Sequence, residues 1–81
     1  MKFTDYAKEQ GCSLLRDDIK FMKAIVRKIP REARKRVLCD YIDIWVSTMQ
    51  ECENALQRQN AGRQAANLHV LGVVDDAKRY S

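Results

Sequence analysis

Three observations predict an all-α fold. Apolar residues recur at steps of three and four over most of the chain, first from Leu15 to Ile29 and again from Val37 to Leu56. Residues that start and stop helices, namely Gly11, Ser13 and Pro30, fall between those runs. Strand signals are nearly absent: Val70 to Val74 is apolar enough to consider, but a lone strand has nothing to pair with. A chain of 81 residues makes one small domain, 1–81, in which residues 72–81 are expected as a flexible tail. A domain of this size buries only about 60–65% of the surface its unfolded chain exposes, so self-association is an economical way to complete the core.

The first element is a short helix over about 4–10, capped by the Thr4 side-chain oxygen and stopped by Gly11 in a left-handed conformation. Ser13 offers the next N-cap, with Asp17 and Asp18 near the positive end of the following helix dipole. That second helix, 13–28, carries one apolar stripe through Leu15, Ile19, Met22, Val26 and Ile29, widened by Phe21 and Ile25. Its other side is basic. Pro30 disfavours helical geometry at Ile29 and suits the first position of a new helix.

The third helix is expected from Pro30 or Arg31 through at least residue 58, with Val37, Leu38, Tyr41, Ile42, Trp45, Met49, Cys52 and Leu56 on its apolar face. Neither Gly nor Pro interrupts Arg31 to Ala61. Helical spacing resumes at Ala61, Ala65, Leu68 and Leu71, which predicts one long helix to about Leu71, kinked near Gly62 and stopped at Gly72. The expected architecture is therefore a helical hairpin with a short N-terminal helix and one long helix. The second and third helices lie antiparallel around Leu15, Ile19, Met22, Val26, Val37, Tyr41, Trp45 and Met49. The long helix overhangs its partner, and Met49, Cys52, Leu56, Ala65, Leu68 and Leu71 form a self-association surface that joins two protomers into a helical bundle.

The net charge of +4 conceals an asymmetry. Residues 20–36 hold Lys20, Lys23, Arg27, Lys28, Arg31, Arg34, Lys35 and Arg36 against Glu32 alone, eight minus one or a net +7. Residues 40–53 hold only Asp40, Asp43, Glu51 and Glu53, a net −4. Such a block points to an acidic partner, to nucleic acid or to charge pairing between protomers. The basic corner Arg27–Arg36 could grip phosphates as a nucleic-acid-binding surface, or it could be a solvated or protein-facing surface whose charges pair with Glu32, Asp40 and Asp43 or with a second protomer, Glu32 and Asp40 each being spaced to pair with Arg36. Ala7, Gly11, Cys12 and Ser13 also stand at spacings similar to a helix-turn-helix, but that register would turn the charged Asp17 and Lys20 inward.

Catalysis finds little support. His69 is the only histidine, and Asp17-Asp18 and Asp75-Asp76 are adjacent pairs whose side chains point to different helical faces. Cys12, Cys39 and Cys52 lack metal-binding spacing and read as reduced, small hydrophobes. No cofactor, metal or catalytic residue is expected. No stretch approaches the length of a membrane span, and the opening residues lack the apolar run of a signal peptide, so a cytoplasmic location without membrane partners is expected.

The run Ala61-Gly62-Arg63-Gln64-Ala65-Ala66-Asn67-Leu68, downstream of Pro30-Arg31-Glu32-Ala33-Arg34 and the Tyr41/Trp45 pair, resembles segments of short accessory proteins from temperate, lambda-like phages and prophages. The resemblance covers roughly residues 30–71. It implies a helical, non-catalytic protein that binds a host or phage protein, in replication or host takeover, and it carries over no functional residues.

Overall fold

The computed structural model describes the backbone of residues 3–80 and the side chains of residues 3–76. Four α-helices follow one another: α1 (Phe3–Glu9), α2 (Arg16–Arg27), α3 (Arg34–Glu51) and α4 (Arg58–Tyr80), with a 3-10 turn at Arg31–Ala33 ahead of α3. The all-α expectation holds, and among the described residues there is no strand. The stretch Val70 to Val74 lies inside α4.

α1 ends as expected. Gly11 takes φ +89°, and the three N–H groups after the helix turn back onto its carbonyls, Gln10 N–H to Tyr6 O at 3.1 Å, Gly11 N–H to Lys8 O at 3.1 Å and Cys12 N–H to Ala7 O at 2.9 Å. The start of α2 differs from the Ser13 expectation. Leu15 is the capping residue, and the Asp18 carboxylate reaches back to accept its N–H at 2.8 Å. Pro30 turns the chain as expected, and the buried Ile29 plugs the corner while Arg34 Nε donates to its carbonyl at 3.2 Å.

The long third helix is corrected. α3 stops at Glu51, Cys52 is extended, and the chain reverses through 52–57 before α4 begins. The two long helices then pack against each other as a hairpin, the most extensive helix–helix contact in the molecule. The longest dimension is 40 Å, well short of the roughly 60 Å that a continuous 40-residue helix would span. The physical cause is local. Glu51 and Glu53 place negative charge at the negative end of the α3 dipole, and Asn54 Oδ1 accepts the Leu56 N–H at 3.0 Å, giving the backbone a side-chain partner outside a helix. Arg58 Nε closes the turn on the Cys52 carbonyl at 3.0 Å.

Gly72 is likewise not a stop. Continuing the helix through it places Val70 and Val74 in the core and Val73 against it, and that burial offsets the roughly 1 kcal/mol cost of a mid-helix glycine. The expected tail from 72 is thus helical to Tyr80, with Ser81 outside the described residues. Gly62, expected as a kink, instead marks a close approach. A Cβ there would sit 2.5 Å from Trp45 Cδ1 and 2.8 Å from Trp45 O.

The core is built on α3 and α4. Tyr41, Ile42, Trp45, Ala66 and Val70 are fully buried, joined by Met22, Ile25 and Ile29 of the α2 region and Ala7 of α1. Tyr41 lies edge-on to Trp45 with centroids 5.8 Å apart and tilted against Phe3 at 6.1 Å, so one aromatic row ties α1 to the centre of α3. α2 contacts α4, whereas its expected antiparallel contact with α3 is sparse. α2 is also rotated from its predicted phase. Leu15 is exposed and Ile19 and Val26 are half-buried, while Asp18, Met22 and Ile25 face inward.

The two helical glycines make opposite demands. Gly62→Ala should destabilise the fold by at least about 2 kcal/mol, because the added methyl meets a backbone oxygen that cannot rotate away. Gly72→Ala, with open space at its Cβ, should stabilise it by up to about 1 kcal/mol. Urea denaturation of both variants checks the pair.

Candidate partner-binding groove and the polar latch behind it

The inward turn of Asp18 is the key to the site. Arg63, on α4, donates Nε–H to both Asp18 carboxylate oxygens at 2.9 Å. Its other nitrogens reach Asn60 Oδ1 at 2.6 Å and the Ser13 carbonyl at 3.2 Å, and its guanidinium carbon lies 5.0 Å from the centroid of the Trp45 ring. One turn earlier Gln59 performs a parallel task. Its Oε1 accepts from Trp45 Nε1–H at 3.0 Å and from Ser13 N–H at 2.9 Å, and its Nε2 donates to Gly11 O at 2.9 Å. One turn later Asn67 Oδ1 accepts the Tyr41 hydroxyl at 3.1 Å. Gln59, Arg63 and Asn67 are a polar row at i, i+4 and i+8 on the inner side of α4, and they latch the 11–15 loop to α3.

No unsatisfied buried side-chain nitrogen or oxygen occurs among the described residues, so hydrogen bonds offset part of the desolvation cost of this polar row. Sequence reasoning missed all three residues as well as Asp18. The signal available was the regular spacing of long polar side chains opposite Trp45 and Tyr41.

Because the latch pins α2 to α4, α2 and α3 diverge and leave a cleft between them that α1 only partly fills. Two hollows open beside α1, one between α2 and α3 and the other against the 3-10 turn and α3, and both are lined by Phe3 and Leu38. The narrower, of about 230 Å³, is walled by Ile19, Met22 and Val26 of α2, with Thr4 behind and Lys23 at its margin. The wider, of about 560 Å³, is lined in addition by Tyr6, Cys39, Arg31, Arg34 and Lys35. Among the described residues no carboxylate lines either hollow. The half-buried apolar residues of the predicted α2 stripe, Ile19 and Val26, are therefore groove walls rather than core. The wider hollow lies within the roughly 300–1,000 Å³ typical of binding sites.

The structure places the expected basic surface as follows. Lys20, Lys23, Arg27 and Lys28 are exposed along α2, and Arg31, Lys35 and Arg36 are exposed at the corner. Arg34 is half-buried and holds the corner through Ile29 O. Of the pairs expected for Arg36, the one present is with Asp40, at 4.0 Å and solvent-exposed, a contact worth little. The groove thus gathers Lys23, Arg31, Arg34 and Lys35, while Lys20, Arg27, Lys28 and Arg36 lie outside its lining. Asp17 and Lys20 are both exposed, so α2 does not adopt the helix-turn-helix register in which they would turn inward.

The expected self-association residues are not brought together. With the long helix broken there is no overhang, and Leu56 stands 93% exposed on the reversing turn. Leu68 and Leu71 are exposed one turn apart on the outer side of α4, while Met49, Cys52 and Ala65 are half-buried. His69 is exposed and distant in role from the groove lining. Among the described residues no helix is long and apolar enough to cross a membrane. Comparison with known proteins finds no family model, no curated protein and no solved structure that matches this chain significantly.

Burial sets the chemistry of the titratable core groups. It pushes the Cys12 thiol up from 9.0 to about 11, and it raises the Tyr41 phenol above its ordinary range, with the nearby Asp18 charge adding to the effect. Cys39 and Cys52 are half-buried.

Three outcomes follow. Asp18→Ala and Arg63→Ala should each cost about 3 kcal/mol, with the double variant losing less than the sum, and Arg63→Lys should not restore stability because the forked contact is lost. Chemical denaturation of the four variants measures this. With its pKa raised on folding, Cys12 binds its proton more tightly in the native state, so stability should be unaffected below pH 9 and decline as pH rises from about 9 to about 11; the part of the decline between about pH 9 and 10, before the Tyr41 phenol contributes, should vanish in Cys12→Ala. Alkylation followed by mass spectrometry near pH 8 should modify Cys39 and Cys52 well before Cys12.

Proposed function

We propose that this chain is a small non-catalytic accessory protein of the phage type that works by binding a partner protein, and that the groove between α1, α2 and α3 receives the partner. The observation that carries the reading is the composition of the groove: apolar residues that folding leaves open, together with four cations and, among the described residues, no carboxylate. A surface of that kind favours an apolar, acidic protein segment over water, since the apolar residues gain from burial and the cations gain from opposite charge. The phage-type assignment rests on the resemblance of residues 30–71, and the non-catalytic assignment on the chemistry present. The one buried carboxylate among the described residues, Asp18, is committed to Arg63 and to the Leu15 N–H and is not free for proton transfer.

A second reading has its own support. Lys20, Lys23, Arg27 and Lys28 form an exposed row along α2, as a surface for phosphates of nucleic acid would require. The two are separated by capture from nuclease-treated bacterial lysate on immobilised wild type and on an Arg31→Glu/Lys35→Glu variant, beside titration with short duplex DNA and RNA at low and moderate salt. Under the first reading a nuclease-resistant protein is retained by wild type and lost by the variant. Equal retention by both overturns the groove as the site. Nucleic-acid binding that weakens steeply with salt and with Lys20→Glu/Arg27→Glu establishes the second reading instead.

A further inference from the structure

We infer that the groove is shaped for an amphipathic α-helix bearing two apolar anchors about one turn apart, with acidic residues over the wider hollow. This inference rests on the partner-protein reading and narrows it to one class of segment.

The choice of a helix comes from hydrogen-bond accounting. No strand occurs among the described residues, so they offer no sheet edge. An extended peptide laid against Phe3, Met22 and Leu38 would leave its own N–H and C=O groups facing apolar walls with no partner. A helix carries its backbone hydrogen bonds with it and presents only side chains to the groove. Both hollows are lined by Phe3 and Leu38, so two anchors that enter them lie close together. That matches residues at i and i+4, which project from the same side of a helix about 5–6 Å apart.

The two hollows also differ in chemistry. The narrower is walled by Ile19, Met22 and Val26, with Lys23 only at its margin, and suits a single aliphatic side chain. The wider has room for an aromatic ring beside Tyr6 and Cys39, and Arg31, Arg34 and Lys35 stand where carboxylates flanking that ring would lie. The favoured segment is therefore a leucine-like residue, three intervening positions, then an aromatic residue with Asp or Glu beside it.

The wild-type chain contains its own reporter, because Cys39 lies in the wider hollow and the half-buried Cys52 does not. The probe is a synthetic fluorescent acidic helix with Leu and Phe four positions apart. Its controls are the charge-reversed peptide, the peptide with both anchors changed to Ala, and one broken by a central Pro; the readouts are anisotropy and alkylation rates. The acidic helix should slow Cys39 alkylation and leave Cys52 unchanged. Anchor removal, the central Pro, or Arg31→Glu/Lys35→Glu in the protein should each weaken binding by about tenfold or more, equivalent to about 1.4 kcal/mol. Equal binding of the Pro-broken peptide, with Cys39 still protected, overturns the helix inference and leaves the partner-protein reading standing. Failure of every peptide to protect Cys39, or protection by duplex nucleic acid alone, overturns both.

Discussion

Gly62 and Trp45 set how closely α4 can lie against α3. At this crossing the α4 backbone rests on the indole and on the Trp45 carbonyl, with no room for a methyl group. The close approach brings the next residue, Arg63, over the same ring, where it is stacked on an aromatic face and fixed by Asp18. Such a pair, with side chains 6% and 18% exposed, contributes less net stability than its short distances suggest, because both ions lose hydration. Its larger effect is on geometry. The observed placement of α2 satisfies Asp18, Arg63 and the Ser13 carbonyl together.

That placement has a cost in apolar burial and a functional consequence. Turning Asp18 inward rotates Leu15 out to solvent and leaves Ile19 and Val26 half-covered. A helix docked by its most apolar face would have closed against α3 and eliminated the cleft. Docked by its polar contact to α4, α2 instead leaves an apolar wall facing α3 across an open groove. The same corner carries Arg31, Arg34 and Lys35, so the basic block and the uncovered apolar surface meet in one place. Neither feature alone would select a partner; together they select for charge and shape.

The sequence foretold the parts of this fold that depend on local chemistry. Gly11 ends α1 with the expected left-handed turn, Pro30 makes the corner, and Val37, Tyr41, Ile42 and Trp45 are the core of α3. The hairpin turn was less visible because it uses neither Gly nor Pro. Its marks were the acidic pair Glu51 and Glu53 at a helix C-terminus and the run Asn54 to Gln57, which begins with a residue whose side chain replaces a backbone partner. Of the site, the basic residues were legible as a block, but their division into groove rim and outer row was not, since that depends on which face of α2 turns inward.

Periodicity, capping and charge by themselves determined an all-α chain with an aromatic centre and a basic corner, because those properties follow from which side chains fall on one face of a helix. Two decisions belonged to the tertiary structure: that α3 pairs with α4 rather than α2, and that Asp18 is buried. Both require a partner far away in sequence. Glycine at 62 breaks or permits a helix according to whether an indole lies against it, and an aspartate at 18 is a surface residue until an arginine 45 positions later supplies its charge partner.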